Sequence, residues 1–280
     1  MKALLSKEFK LCVHPALFIY LALILMLLIP NYPYLVSCFF VCNGIFFCFQ
    51  QARENGDAMY TAMLPVSKAQ TVKARVWFVV IIEMIDIVLM AGMCAFALVA
   101  MPETNGGGTD HSLSLIAFAL VLYAIFNLIF LPSFYKTGYK AGSAFLKSAV
   151  GIWLWLIPCE GLMIASHAIA DSNLDIAFFR FLHENVDCMP KTAEALTVQA
   201  ILFGAGLLLY VVCTLLATKI SVKRYEKVSV ALTCPSTRTT KRRSTGSSMS
   251  RSQASCSRAR LRPIPRCRRS ERYRRSSAYP

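Results

Sequence analysis

The sequence predicts an all-α integral membrane protein with six transmembrane helices and both termini cytoplasmic. A short interfacial helix is expected at the N-terminus and a disordered basic tail at the C-terminus. Three observations lead there. The 280 residues are 56% hydrophobic and 16% charged, with a mean hydropathy of +0.52, which is too apolar for a soluble domain. The apolar residues gather into six runs, most of them near the length a bilayer requires. Lysine and arginine fall in alternate connections between those runs. The net charge of +15 would suggest a nucleic-acid binder, but through Lys227 there are 16 Lys/Arg against 14 Asp/Glu, and beyond it 14 against 1. The basicity therefore belongs to the tail, and the body calls for membrane lipid with no specific nucleic acid.

Met1 to Lys10 sets Leu4, Leu5 and Phe9 on one side and Lys2, Lys7 and Lys10 around the other, as suits a helix at a membrane surface. No small-residue cleavage site follows at Ile29-Pro30-Asn31-Tyr32, so the first apolar run reads as a retained helix. Spans are expected at about 11–29, 34–49, 76–100, 113–134, 145–170 and 196–218. The link Pro30 to Pro33 allows only a hairpin between the first two.

Fourteen Lys/Arg fall in the N-terminus, the 50–75 loop, the fourth-to-fifth connection and the stretch after the sixth span; Arg180 and Lys191 fall on the other side. Both termini are then cytoplasmic, with Pro102 to His111 and Asp171 to Glu194 facing outward. The outer segment Asp171 to Glu194 is apolar enough to lie as a helix in the interface. Gly106-Gly107-Gly108 lacks the lysine and following helix of a phosphate-binding loop and reads as a flexible turn.

The long polar interruption from Gln50 to Arg75 is the most informative stretch. Asn55-Gly56-Asp57 reads as a turn and helix start, Ala58 to Met63 as one or two helical turns, and Leu64-Pro65-Val66 as their stop. Ser67 and Gln70 have the spacing of a capping box that begins the next helix. The first turns of that helix, Ala69 to Arg75, are polar enough to stand in water before lipid begins at Val76. A short amphipathic element held on a membrane helix is a handle for another protein.

Three carboxylates interrupt the apolar runs. Glu83 and Asp86 share one face of the third span, about 10–15 Å from its cytoplasmic start, and Glu160 lies near the middle of the fifth. Each costs on the order of 2.5–3.5 kcal/mol in lipid, so each should face the bundle interior, a water-filled path or a partner. They mark either a proton or substrate pathway, or a hydrogen-bonded interface with Asn43, Asn127 or Ser143 as partners. Pro158 and Gly161 should kink the fifth helix. His14 and His167 read as interfacial, while Tyr123, Tyr135 and Tyr139 approach the interface.

Most cysteines lie in or beside apolar runs, where packing outweighs metal binding even for Cys38 and Cys42 on a shared face. Neither a nucleotide-binding motif nor a catalytic constellation is present, so any work done by the chain draws its energy from elsewhere.

Met1-Lys2-Ala3-Leu4-Leu5-Ser6-Lys7-Glu8-Phe9-Lys10, Gln51-Ala52-Arg53-Glu54-Asn55-Gly56, and Leu64-Pro65-Val66-Ser67-Lys68 leading to Val72-Lys73-Ala74-Arg75 resemble the membrane subunits (permeases) of bacterial type-2 ABC transporters. The resemblance covers about residues 1–228. It implies a multi-pass protein of the cytoplasmic membrane that exports a substrate by alternating access. It also implies pairing with a second permease copy or paralogue and energy from a separate ATPase subunit. No cofactor is expected in this chain, with ATP and Mg bound in the partner. By the same resemblance, Glu54 to Leu64 is the coupling helix, and Glu54, Asn55, Asp57, Met59, Tyr60, Met63 and Leu64 dock on the ATPase. Pro65, Ser67 and Gln70 then start the helix that follows.

Two other classes remain open: a secondary transporter using Glu83, Asp86 and Glu160, and a non-transporting scaffold or immunity-type protein. Residues 229–280 depart from the family. Their Arg/Ser-rich composition predicts disorder, arising either from a tail that adheres to anionic lipid or RNA, or, as the abrupt break favours, from a shifted reading frame.

Overall fold

Long apolar runs with β-branched and aromatic residues could form strands in water, but in lipid every backbone N–H and C=O must be satisfied within its own segment, and helices result. In the computed structural model, which describes residues 2–63, 65–100, 107–137, 140–170, 176–187 and 192–227, all regular structure is helical. The expectations for Leu64, Tyr139, Lys191, Gly106 and the 229–280 tail, and for the side chain of Met59, lie outside the described residues.

The elements are α1 (Lys2–Leu11), α2 (Ala16–Ala22) continued by a 3₁₀ stretch (Leu23–Leu28), α3 (Leu35–Glu54), α4 (Asp57–Met63), α5 (Lys68–Ala100), α6 (Leu113–Lys136), α7 (Ala141–Ala170), α8 (Ala177–Leu182) continued by a π-helical turn (His183–Asp187), and α9 (Ala193–Lys227). Five of these, α3, α5, α6, α7 and α9, are long and apolar enough to cross a membrane. The candidate for a sixth is a bent pair: α1 meets the segment Ala16–Leu28 at 89°. That angle lets α1 lie along a surface while the following segment enters it. Thirteen residues, seven α-helical and six 3₁₀, reach only about 22 Å, so this segment is shorter than a hydrocarbon core of about 30 Å.

The bundle is built around α6. Over an apolar stretch of 18 consecutive residues in each span, 67% are buried in α6 and 22% in α9. Helix α6 packs most extensively against α9 and then α7, and contributes Tyr123, Phe126, Phe130 and Phe134 to the core beside Phe49 of α3. Both internal prolines, Pro132 in α6 and Pro158 in α7, sit inside continuous helices. Arg224 near the end of α9 donates to the Pro132 carbonyl at 2.7 Å, which fixes the basic ends of α9 and α6 together.

The connection between α5 and α6 differs from the flexible turn expected of its glycines. Gly108, Thr109, Asp110, His111 and Ser112 are all buried, folded into the end of the bundle opposite the lysine-rich one. Glu160 is the reason. Its carboxylate reaches up from α7 to accept from the backbone N–H of Leu35 at 2.9 Å and of Thr109 at 3.0 Å. It thereby satisfies an amide in the first turn of α3, which the helix itself leaves free, and pins the connection. The His111 Nε2–H donates to the Leu27 carbonyl at 2.8 Å, closing the end of the 3₁₀ stretch. Glycine is required here by close approach: a Cβ on Gly107 would lie 2.1 Å from the carbonyl carbon of Asn31, and one on Gly108 2.1 Å from Glu160 Oε2.

Gly107→Ala should therefore destabilise the protein by about 1–3 kcal/mol, read as a lowered melting temperature in detergent. Gly142→Ala, where a Cβ meets nothing within 4 Å, should leave it unchanged.

Candidate functional site

The polar interruption folds back under the bundle as a compact structure. Helix α3 runs through Glu54, and the chain turns at Asn55 and at Gly56, whose φ of +66° suits glycine. Helix α4 then occupies Asp57–Met63. Ser67 and Gln70 exchange the two bonds of a capping box: the Gln70 N–H donates to Ser67 Oγ at 3.2 Å, and the Ser67 N–H to Gln70 Oε1 at 3.3 Å. Helix α5 starts from this box at Lys68. Its first turns do not stand in water, because Thr71, Val72, Ala74 and Arg75 are buried. They lie against α1, which covers them.

Burying Arg75 at 4% exposure demands compensation, and two acids supply it. Glu8 of α1 accepts from Arg75 Nε at 3.1 Å and Nη2 at 3.0 Å, while Asp57 at the start of α4 accepts from Nη2. Lys7 of α1 completes the cluster, its Nζ 2.5 Å from Asp57 Oδ1 and 2.6 Å from Thr61 Oγ1. The guanidinium also lies over the Phe49 ring of α3, 5.5 Å from its centroid. Two cations and two anions, three of them almost fully buried, thus join α1, α4 and α5 at one point. Asn55 adds a further tie to α1, donating to the Leu11 carbonyl at 3.0 Å. Burial alone would raise the Asp57 carboxyl, but Arg75 and Lys7 outweigh it and hold it below its ordinary value.

The residues expected on the docking face divide accordingly. Asp57 turns inward and is 3% exposed, because its carboxylate is consumed by the ion cluster. Tyr60 and Met63, on the other side of α4, are 65% and 69% exposed. Glu54 belongs to the last turn of α3, where it accepts from Gln50 Nε2 at 3.1 Å, and Pro65 is exposed in the link to α5.

Farther along α5, Glu83 and Asp86 are wholly buried. Tyr210 of α9 and Asn127 of α6 donate to Glu83 Oε2 at 2.7 and 2.9 Å, and Tyr123 of α6 donates to Asp86 Oδ2 at 2.6 Å. Asn127 is the expected partner that the fold supplies. Asn43 instead donates to Tyr20, and Ser143 to the Lys140 carbonyl. Tyr210 also lines a lateral groove of about 310 Å³ between α5 and α9, with Trp77, Val80 and Leu215. His14 stacks on Phe47 and accepts from the Ala16 N–H at the start of α2. Cys38 and Cys42 are buried in the core and form no disulfide.

A sequence model described as ABC-2 family transporter protein matches residues 3–226. The chain belongs to that family. No curated protein and no solved structure matches it. It is a multi-pass permease of the cell membrane, built from the helices described above. In this ABC-2 permease, the matched span takes in the ion cluster, both buried carboxylates of α5 and all of α4.

Sequence reasoning missed the roles of Lys7, Glu8 and Arg75. The available signal was a single acid inside a lysine-rich amphipathic helix and a single arginine at the mouth of an apolar run.

Arg75→Met should destabilise the protein by about 3–5 kcal/mol, because Glu8 and Asp57 stay buried without their cation. Adding Glu8→Gln and Asp57→Asn should recover part of the loss, which a mutant cycle by chemical unfolding in micelles measures. A lowered Asp57 pKa means its stabilisation is fully present above the unfolded value of 3.8 and is lost as pH falls through the folded one. Asp57→Asn should flatten that acid limb and leave the neutral-to-alkaline limb unchanged.

Proposed function

We propose that the chain is the membrane half of an ATP-driven transporter, docking a separate ATPase subunit through the outer face of α4. The observation that carries this reading is the division of α4. Its inner face is locked to α1 and α5 by Asp57 and Thr61, and its outer face presents Tyr60 and Met63 without cover. A seven-residue helix is too short to be stable alone. Anchored at its first residue by two cations, it becomes a rigid peg. An aromatic and a methionine on such a peg are the residue types that anchor protein interfaces.

Force applied to α4 would pass through Arg75 to α5 and through Glu8 and Lys7 to α1. The capping box at Ser67 and Gln70 keeps the first turn of α5 intact, so a tilt at Arg75 carries along the helix to Glu83 and Asp86. Those two are held on α6 and α9 by hydrogen bonds, so they serve as the interface across which α5 moves. The lysine-rich end then faces the cytoplasm, as the loop charges require. ATP and Mg belong to the partner chain, and a second permease copy or paralogue completes the pathway. Export is the direction favoured, on resemblance to a family made mainly of exporters.

Tyr60→Glu with Met63→Glu should lower co-purification of the ATPase subunit at least tenfold with the melting temperature of the permease unchanged. Retained association would overturn the docking assignment.

A further inference from the structure

At the end of the bundle opposite the ion cluster, three metal-ligating side chains converge that the transport reading does not use. His167 lies in the last turn of α7, and His183 and Asp187 open and close the π-helical turn after α8. His167 Nε2 is 2.7 Å from Asp187 Oδ2, and the His167 and His183 rings stand edge to face with centroids 4.8 Å apart. One ligand atom from each of the three lies within 4.8 Å of the others. We propose that His167, His183 and Asp187 form a binding site for a divalent transition ion of the zinc type, with a fourth position open to water or an anion.

Four features support the assignment. The donor set is two imidazoles and one carboxylate, the N and O ligands that zinc takes with three protein groups and one open position. The π-helical turn is an unusual local structure that tends to occur at functional sites, and here it is the segment that supplies both His183 and Asp187. Both anchored ligands are held from behind. Asp187 Oδ1 accepts from the Asp110 N–H at 3.0 Å, Ser166 Oγ lies 3.4 Å from Oδ2, and His167 hydrogen-bonds the Gly108 backbone. Such outer bonds orient metal ligands and fix the imidazole tautomer. Finally, Asp187 and His167 are buried while His183 is partly exposed, which gives an ion a way in.

Tetrahedral bonds of about 2.0–2.2 Å require ligand atoms about 3.3–3.5 Å apart. The His167–Asp187 pair therefore opens by less than 1 Å and the widest pair closes by somewhat more, within the reach of side-chain rotation. Binding would displace any proton shared by His167 and Asp187 and would staple α7, the π-helical turn and the buried 107–112 connection together.

The test uses the full chain in detergent micelles with Co²⁺ and Zn²⁺ as probes, and stands whether or not the ATPase docking reading holds. Wild type should bind one equivalent of Co²⁺ with the visible spectrum of a tetrahedral nitrogen and oxygen site, displaced by Zn²⁺. His183→Gln should lower the affinity at least tenfold, and its melting temperature without metal should equal that of wild type. His183→Cys should restore binding and add a thiolate-to-cobalt charge-transfer band. The assignment is overturned if wild type binds no stoichiometric cobalt, if its own spectrum already shows thiolate ligation, or if His183→Gln binds as tightly as wild type.

Discussion

Everything at the lysine-rich end depends on one constraint: Arg75 is charged and almost fully buried. A guanidinium in that position must be surrounded by acceptors or the fold is lost. The acceptors come from two places far apart in sequence, Glu8 and Asp57. Satisfying Arg75 therefore brings α1 beneath α5 and seats α4 in a fixed orientation. Phe49 beneath the guanidinium adds α3 to the same point. Four elements meet at one ionic group. The exposed face of α4 is a consequence, because fixing Asp57 inward leaves Tyr60 and Met63 outward.

The opposite end is organised on the same logic with different chemistry. Glu160 is held by two backbone amides, one at the start of α3 and one in the 107–112 connection. A carboxylate aimed at a helix N-terminus is favourably placed for its dipole as well as its free N–H groups. The three buried acids of the apolar spans thus divide by position: Glu160, expected near the middle of its span, lies at the end of the bundle. Glu160 joins backbone segments, whereas Glu83 and Asp86 join side chains of α6 and α9 across the middle of the bundle.

Much of the fold was legible because the bilayer imposes strong rules on sequence. Apolar runs gave the helices in order, though α5 and α9 run longer than their apolar stretches and carry polar residues at their ends. The turn at Gly56, the start at Asp57 and the Ser67–Gln70 box were readable because their partners lie within four residues. Glu8 with Arg75, and Glu160 with Leu35, were not readable. Their partners are 67 and 125 residues apart, and a single sequence carries no record of which faces meet. The glycines before Thr109 misled for the same reason: without Asn31 and Glu160 in view, close approach looks like flexibility. His167 could not be assigned beyond an interfacial position until the π-helical turn brought Asp187 to it.

In the proposed transport cycle the Lys7, Glu8, Asp57 and Arg75 cluster makes α1, α4 and the start of α5 one mechanical body. Spin labels at the exposed positions Ser6 on α1 and Lys73 on α5, with a third at Gly142 on α7, measure it directly in the complex reconstituted with its ATPase. Trapping the ATP-bound state should leave the 6–73 distance unchanged while the 73–142 distance shifts. A change in the 6–73 distance, with α5 stationary against α7, would contradict it.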